Sequence, residues 1–497
     1  MLRRMACLAA LTVLIALSPG LQAQQSRPNV LFFAVDDLRP DIGCFGNTEV
    51  KTPNIDALAK RGMVFRRAYC QQAVCSPSRT SLLTGLRPDS TKVYDLVTHF
   101  RDTVPDVISL PQHFRENGYY TVGMGKIYHP GYDDPKSWSE PHRYGAGENY
   151  VLAENKQRMA ANDSEEPADK ATKKGKKKKA AGGPRRGEPF EMADVPDNAY
   201  HDGSLAEMAV AKLQELKTKD QPFFLAVGFL KPHLPFNSPS KYWDLYDPSQ
   251  LKLAANPFRP HDAPPYAVTD FAELRNYFGV PTTGPVSDEL ARKLIHAYRA
   301  ASSFTDANIG CVLDELDRLG LKDNTIVVLW GDHGWKLGEH ASWCKHTNME
   351  NDANAPLLIA APSAKAPGQS TRALVEFVDV FPTLCDLAGL SQPNHLQGVS
   401  AVPLLDDPSR PWKTAAFSQY PRSVDGRRLM GYALRTDRYR YVEWQDRTTR
   451  GIVSQELYDH QTDPAENQNV AGVADNKNLL AALSLQLAAG WEAAKPR

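Results

Sequence analysis

Four places in the chain set charged or ionisable groups directly behind an apolar run. Asp36 and Asp37 follow NVLFFAV, Lys126 and His129 follow YYTVGM, His233 follows FFLAVGF, and Asp332 and His333 follow NTIVVLWG. Two adjacent acids diverge on a regular strand, but once the strand has broken into a loop both can turn toward one hard cation. A second acid beside an imidazole, with Gly331 and Gly334 on either side, allows the close backbone approach that would complete an oxygen-rich divalent site. Lys126, His129, His233 and, in WCKHTNME, Lys345 would together make a socket for a tetrahedral anion. CSPSR, at Cys75 to Arg79, adds a soft side chain to this hard set. The local residues leave open a thiol nucleophile, a packed core cysteine and half of a disulfide with Cys70. A thiolate suits a metal site of hard oxygens poorly, and an oxygen nucleophile at position 75 would fit better.

These groups need a frame. The apolar runs read as buried strands, and helical stretches lie between them: Pro53 to Arg61, a segment ending near Gly118, and a long helix from Asp288 to a stop at Gly320. Alternation of this kind predicts an α/β fold with a mainly parallel sheet covered on both faces. All four polar clusters then lie just past strand C-termini, where open α/β sheets place their ligands. From about Phe417 the pattern changes to short strand-like runs and a terminal helix, a smaller antiparallel subdomain. The expected division is a catalytic body over residues 24–415 and a C-terminal α+β subdomain over 416–497. The Pro-rich stretch from Pro257 to Pro285 reads as a long ordered loop that could wall a substrate pocket. The polar segment 155–188, with KATKKGKKKKAAGG at its centre, reads as a disordered surface insertion.

Composition narrows the partners. Lys+Arg and Asp+Glu both total 58 in 497 residues, so no overall field recruits nucleic acid or an anionic membrane. MLRRMACLAALTVLIALSPGLQA has the charged, apolar and small-residue order of a secretory leader over residues 1–23, so a secreted or periplasmic protein, free of the membrane after cleavage, is expected. Of seven cysteines, Cys7 would leave with that segment; the others are scattered, without zinc spacing.

CSPSR matches the C-x-P-x-R signature of the type I sulfatases, and the resemblance extends through VDDLRPD, CSPSRTSLLTG, GKIYHPG, KPHLPF, GDHGWKLGEH with WCKHTN, and ELYDHQTDP. GKIYHPG, KPHLPF and DHGWKLGEH are most similar to the iduronate-2-sulfatase branch and its bacterial relatives. The resemblance implies an alkaline-phosphatase-like fold and a calcium ion held by Asp36, Asp37, Asp332 and His333, with Cys75 as a further ligand once it is oxidised to formylglycine. That oxidation implies a formylglycine-generating or anaerobic sulfatase-maturating enzyme as partner. It further implies that a hydroxyl of the hydrated aldehyde attacks sulfur and forms a covalent sulfo-enzyme, which expels sulfate when the other hydroxyl loses its proton. Arg79 would hold the formylglycine oxygens, Lys126 and Lys345 the sulfate oxygens, His129 would act as base, and His233 would protonate the leaving alcohol.

Two departures from the wider family point to the iduronate branch: Lys126 and His129 are separated by two residues rather than one, and His333 stands where asparagine is frequent. Arg39, Trp335 and His340 match that branch as well, and Arg39 is the expected cation for a uronate carboxylate. The expected substrate is a 2-O-sulfated uronic residue of a sulfated glycan. Other sulfated sugars, a phosphodiesterase of the alkaline phosphatase superfamily and a non-catalytic glycan binder are the competing readings.

Overall fold

The computed structural model describes residues 27–164 and 186–496. Its centre is a seven-stranded sheet in the order Ser370–Thr371, Met63–Phe65, Leu357–Ala360, Thr325–Gly331, Asn29–Val35, Phe223–Phe229, Tyr120–Gly125. The last four strands are mutually parallel, whereas Leu357–Ala360 runs antiparallel to both of its neighbours. The three central strands are apolar runs buried at every position. That is what a sheet covered on both faces requires.

Alternate residues serve opposite faces. Val30, Phe32 and Ala34 pack with Leu82, Phe114 and Phe381 from the helices Cys75–Thr84, Leu110–Glu116 and Val380–Leu387. Leu31, Phe33 and Val35 pack with Ile55, Leu213 and Val312 from the helices Pro53–Ala59, His201–Lys217 and Asp288–Arg318. Ser287 caps the long helix by accepting from the Leu290 amide, and the helix ends two residues before Gly320, which sits at φ 65°.

The C-terminal sheet is fully antiparallel, in the order Ala416–Val424, Arg427–Arg435, Tyr439–Asp446, Ile452–Asp459, with the helix Lys477–Ala493 after it. It grips the segment leading into Cys75: the Gln419 amide donates to the Gln71 carbonyl at 2.8 Å, and Ser418 Oγ donates to the Cys70 carbonyl at 2.6 Å.

The insertion expected over 155–188 is not unstructured at its ends. Ala153–Ser164 is helical, Asn155 donates to Glu191 Oε2 at 2.9 Å, and the backbone of Arg186 pairs with that of Asn276. Its Lys-rich centre and the leader over 1–23 lie outside the described residues. Among those described, no helix is long and apolar enough to cross a membrane.

Candidate active site

The parallel strands end level. Val35 pairs with both Phe229 and Gly331, and Gly125 pairs with Gly228, so the residues that follow emerge side by side. The ladder continues one step past each strand, with Asp36 N donating to Phe229 O at 3.2 Å, Asp332 N to Val35 O at 3.2 Å and Lys126 N to Gly228 O at 2.8 Å. Gly228 is required there, because a Cβ would lie 2.3 Å from the Lys126 carbonyl carbon. Asp37 breaks the strand at φ 60°; its carbonyl accepts from Tyr298 Oη at 2.7 Å, and its amide donates to Asp332 Oδ1 at 3.1 Å. This turn lets two consecutive carboxylates face one point.

Cys75 opens the helix Cys75–Thr84, all ten of whose residues are buried. One ligand atom from each of Asp36, Asp37, Cys75 and His333 lies within 4.8 Å of the others. Cys75 Sγ is 3.4 Å from both Asp36 Oδ1 and His333 Nε2. Asp332 borders this group: its Oδ2 lies 3.5 Å from His333 Nε2 while accepting from Arg79 Nε at 2.9 Å. Arg79, wholly buried over Trp330, also reaches Asp36 Oδ1 at 3.2 Å and the carbonyls of Lys126 and Ile127. Asp37 Oδ1 is buried and accepts no hydrogen bond from the described residues. Carboxylates, an imidazole and an unsatisfied buried oxygen converging on one point fit a hard divalent cation.

The cations ring this cluster. Lys126 Nζ contacts Asp36 Oδ2 and lies 3.6 Å from Cys75 Sγ, and Lys345 Nζ lies 3.0 Å from Asp37 Oδ2. Burial opposes both ammonium charges, but Asp36 and Cys75 outweigh it at Lys126, and Asp37 and Glu273 do so at Lys345; each pKa is raised. His129 behaves oppositely: burial, then Lys126, pull its imidazole down to about 4, so the ring is neutral and ready to accept a proton. Its Nδ1 has no partner among the described residues. Burial, then Asp36, pushes the Cys75 thiol well up, so an unmodified cysteine here is no thiolate nucleophile. The six described cysteines are all free, which removes the Cys70–Cys75 disulfide from the readings left open by sequence.

Residues 28–390 match the protein-family model for Sulfatase. The chain belongs to the sulfatase family. The model for the C-terminal part of N-sulphoglucosamine sulphohydrolase matches residues 338–492 of the same sulfatase. Iduronate 2-sulfatases of Mus musculus and Homo sapiens are each 34% identical to it, over 92% of this chain and 93% and 94% of theirs. A sulfatase of Formosa agariphila is 31% identical over 95% of this chain and 89% of its own. A solved structure in complex with its substrate D-glucosamine-2-N,6-O-disulfate superposes with a TM-score of 0.71 at 21% identity, covering 93% of this chain and 97% of that one. The phosphonate monoester hydrolase of Agrobacterium radiobacter gives 0.69 at 25% identity, covering 93% and 95%. The α/β, alkaline-phosphatase-like fold with its C-terminal subdomain is thereby established. The protein is a sulfuric ester hydrolase, from a family that works with formylglycine and a metal ion.

The three substrate residues expected from sequence all lie in paired or packed settings. Arg39 is no free cation: its guanidinium lies 2.8 Å from Glu339 and 3.7 Å from Asp41. His340 is wholly buried and bonded to the Ala465 carbonyl at 2.8 Å, leaving no face for a sugar. Trp335 is 1% exposed and lies under Lys345, whose Nζ is 4.7 Å from the ring, so it supports the socket from behind. Sequence reasoning missed Glu273, 3.0 Å from His233 Nε2 and 2.8 Å from Lys345 Nζ, and His346, which follows Lys345 at φ 87°. Only membership of the Pro-rich segment hinted at Glu273.

Proposed function

We propose that this sulfatase removes the 2-O-sulfate of a uronic, iduronate-type residue of a glycan, with residue 75, matured to formylglycine, as the attacking group in a covalent route. The convergence of Asp36, Asp37, Cys75 and His333 within 4.8 Å carries the mechanism. The likeness to the two iduronate 2-sulfatases, over nearly the whole of both chains, supports the substrate. Asp36, Asp37, Asp332 and His333, with residue 75, would hold calcium, the ion suited to a carboxylate-rich site in an exported protein, and it would supply Lewis-acid polarisation there.

The side chains around it divide the remaining work. Arg79 receives the oxygens of the matured residue 75 and holds the charge of Asp36 and Asp332 in place. Lys126 and Lys345 receive the sulfate oxygens from two sides, and charge-assisted contacts of this kind favour a dianionic transition state over water. His129, neutral by burial, takes a proton from the matured residue when sulfate leaves. His233 gives its proton to the departing alcohol; its Nδ1 is held by the Leu234 carbonyl at 2.6 Å. The leader over 1–23 is removed on export, the body 24–415 carries the chemistry, and the subdomain 416–497 grips the segment that leads into Cys75.

A phosphonate or phosphate ester is the second reading, favoured by the structural likeness to a phosphonate monoester hydrolase. Peptide mass spectrometry of the exported protein tests the nucleophile: formylglycine at position 75 lowers the mass by about 18 Da relative to cysteine. Turnover of a 2-O-sulfated uronate disaccharide, set against a 6-O-sulfated glucosamine and a phosphonate monoester, tests the substrate. An unmodified thiol from the native host, or preference for either competitor, refutes the corresponding part.

A further inference from the structure

We infer that Glu273 is a positioning residue of this sulfatase, fixing the donors of Lys345 and His233 beside the leaving alcohol; the inference rests on the roles assigned to those two residues above. Glu273 comes from the Pro-rich loop, on the short helix Ala272–Arg275. The chain enters this helix through Phe271 at φ 43°, a left-handed conformation costly for an aromatic residue and held only because the surroundings over-determine it. Phe271 is buried beneath the Arg275 guanidinium, which stands 3.9 Å from its ring and donates to the carbonyls of Asp270, Pro281 and Gly284 at 2.9, 2.7 and 2.8 Å. The loop is thus tied to itself, and Glu273 is delivered to a fixed place.

What it does there follows from counting donors. An ammonium has three N–H groups. Lys345 directs one to Asp37 Oδ2 at 3.0 Å and one to Glu273 Oε2 at 2.8 Å, which sets the direction of the third. The His233 ring is held at both nitrogens, Nδ1–H donating to the Leu234 carbonyl at 2.6 Å and Nε2–H to Glu273 Oε1 at 3.0 Å, so the Nε2 proton rests against Glu273 until the leaving oxygen takes it. One carboxylate therefore orients a sulfate-holding group and the leaving-group acid together. A negative charge at this point repels an incoming sulfate ester. Its contribution lies in geometry and not in ground-state attraction, and misplacement on the ångström scale is costly in rate.

This predicts an unusual kinetic split. Glu273→Gln keeps the volume and removes the charge, so KM for the sugar sulfate stays level or falls while kcat drops, by roughly 10- to 100-fold. The kcat loss is smaller on 4-nitrophenyl sulfate, whose leaving group needs no proton, and the loss on the sugar shrinks in a His233→Ala background. Glu273→Asp, which keeps the charge but withdraws it by one methylene, lowers kcat likewise while KM stays level. The assay is steady-state kinetics of protein with verified formylglycine, with melting temperatures measured alongside. Equal losses on both substrates, a raised KM at constant kcat, or unchanged kinetics overturns the role alone. Absence of turnover by the matured wild-type protein overturns the sulfatase reading of this site and the role with it.

Discussion

Replacing His346 should flatten the acid side of the stability profile. The residue sits at φ 87°, where asparagine is among the few side chains tolerated, so His346→Asn keeps the backbone. Its amide donates to the Ala73 carbonyl at 3.2 Å and its own carbonyl receives the Arg422 guanidinium, contacts that survive the change. Burial, then Lys345, hold the imidazole down to about 3; His333 and Arg422 act in the same direction, and Glu273 opposes them. Unfolded, the same ring titrates near ~6.5. Between these values the unfolded chain binds a proton that the native protein refuses, so stability rises with pH there, is complete above the unfolded value and is lost as pH falls. From pH 7 to pH 5 the loss from this one ring is about 2 kcal/mol, a large share of the typical net stability of a domain. Urea unfolding of both proteins at pH 7, 6 and 5 measures it as the difference between two slopes. If His346→Asn loses as much stability over that interval as the wild type, the ring is not held neutral and the argument fails.

Cys75→Ala should abolish turnover while leaving the melting temperature near that of the wild type, because only the Sγ atom is lost and Asp36 and Asp37 keep Arg79, Lys126 and Lys345 as partners; residual hydrolysis at the wild-type rate would remove position 75 from the chemistry. Calcium should raise the melting temperature of the wild type, by the equivalent of about 2.7 kcal/mol at one hundred times Kd, and should leave Asp37→Asn unmoved. An equal calcium shift in both proteins, read by calorimetry, would place the ion elsewhere. Away from the site, Lys413 bridges Glu376 at 2.8 Å and Asp379 at 2.7 Å, and Arg87 holds Glu376 at 2.7 Å, all with side chains at most 9% exposed. Lys413→Met leaves Asp379 buried without its cation and should cost roughly 3–5 kcal/mol in urea unfolding, with activity at permissive temperature retained.

The residues legible in the sequence and those that were not differ in what fixes them. Asp36, Lys126, His233 and Asp332 follow apolar runs, and a buried strand has a predictable end; once four such strands are taken as parallel, their C-terminal residues must meet. The runs expected at NVLFFAV, FFLAVGF and TIVVLWG are strands Asn29–Val35, Phe223–Phe229 and Thr325–Gly331. The long helix stops at Arg318, just before the glycine that marks its end. Arg39 differs for the opposite reason: its position beside Asp36 and Asp37 was visible, but its counter-ion Glu339 is three hundred residues away, and a charge looks free until its partner is known. Glu273 shows the same ignorance from the other side. No periodicity places a residue in a Pro-rich loop, so only its contacts with Lys345 and His233 locate it, and those contacts exist only after both strand ends have been assembled. An active site built this way has two layers, one dictated by the sheet and readable from hydrophobic pattern, the other dictated by mutual charge pairing and readable only from the fold. Selectivity between leaving groups belongs to the second layer. The Glu273 substitutions probe that layer while leaving the first intact.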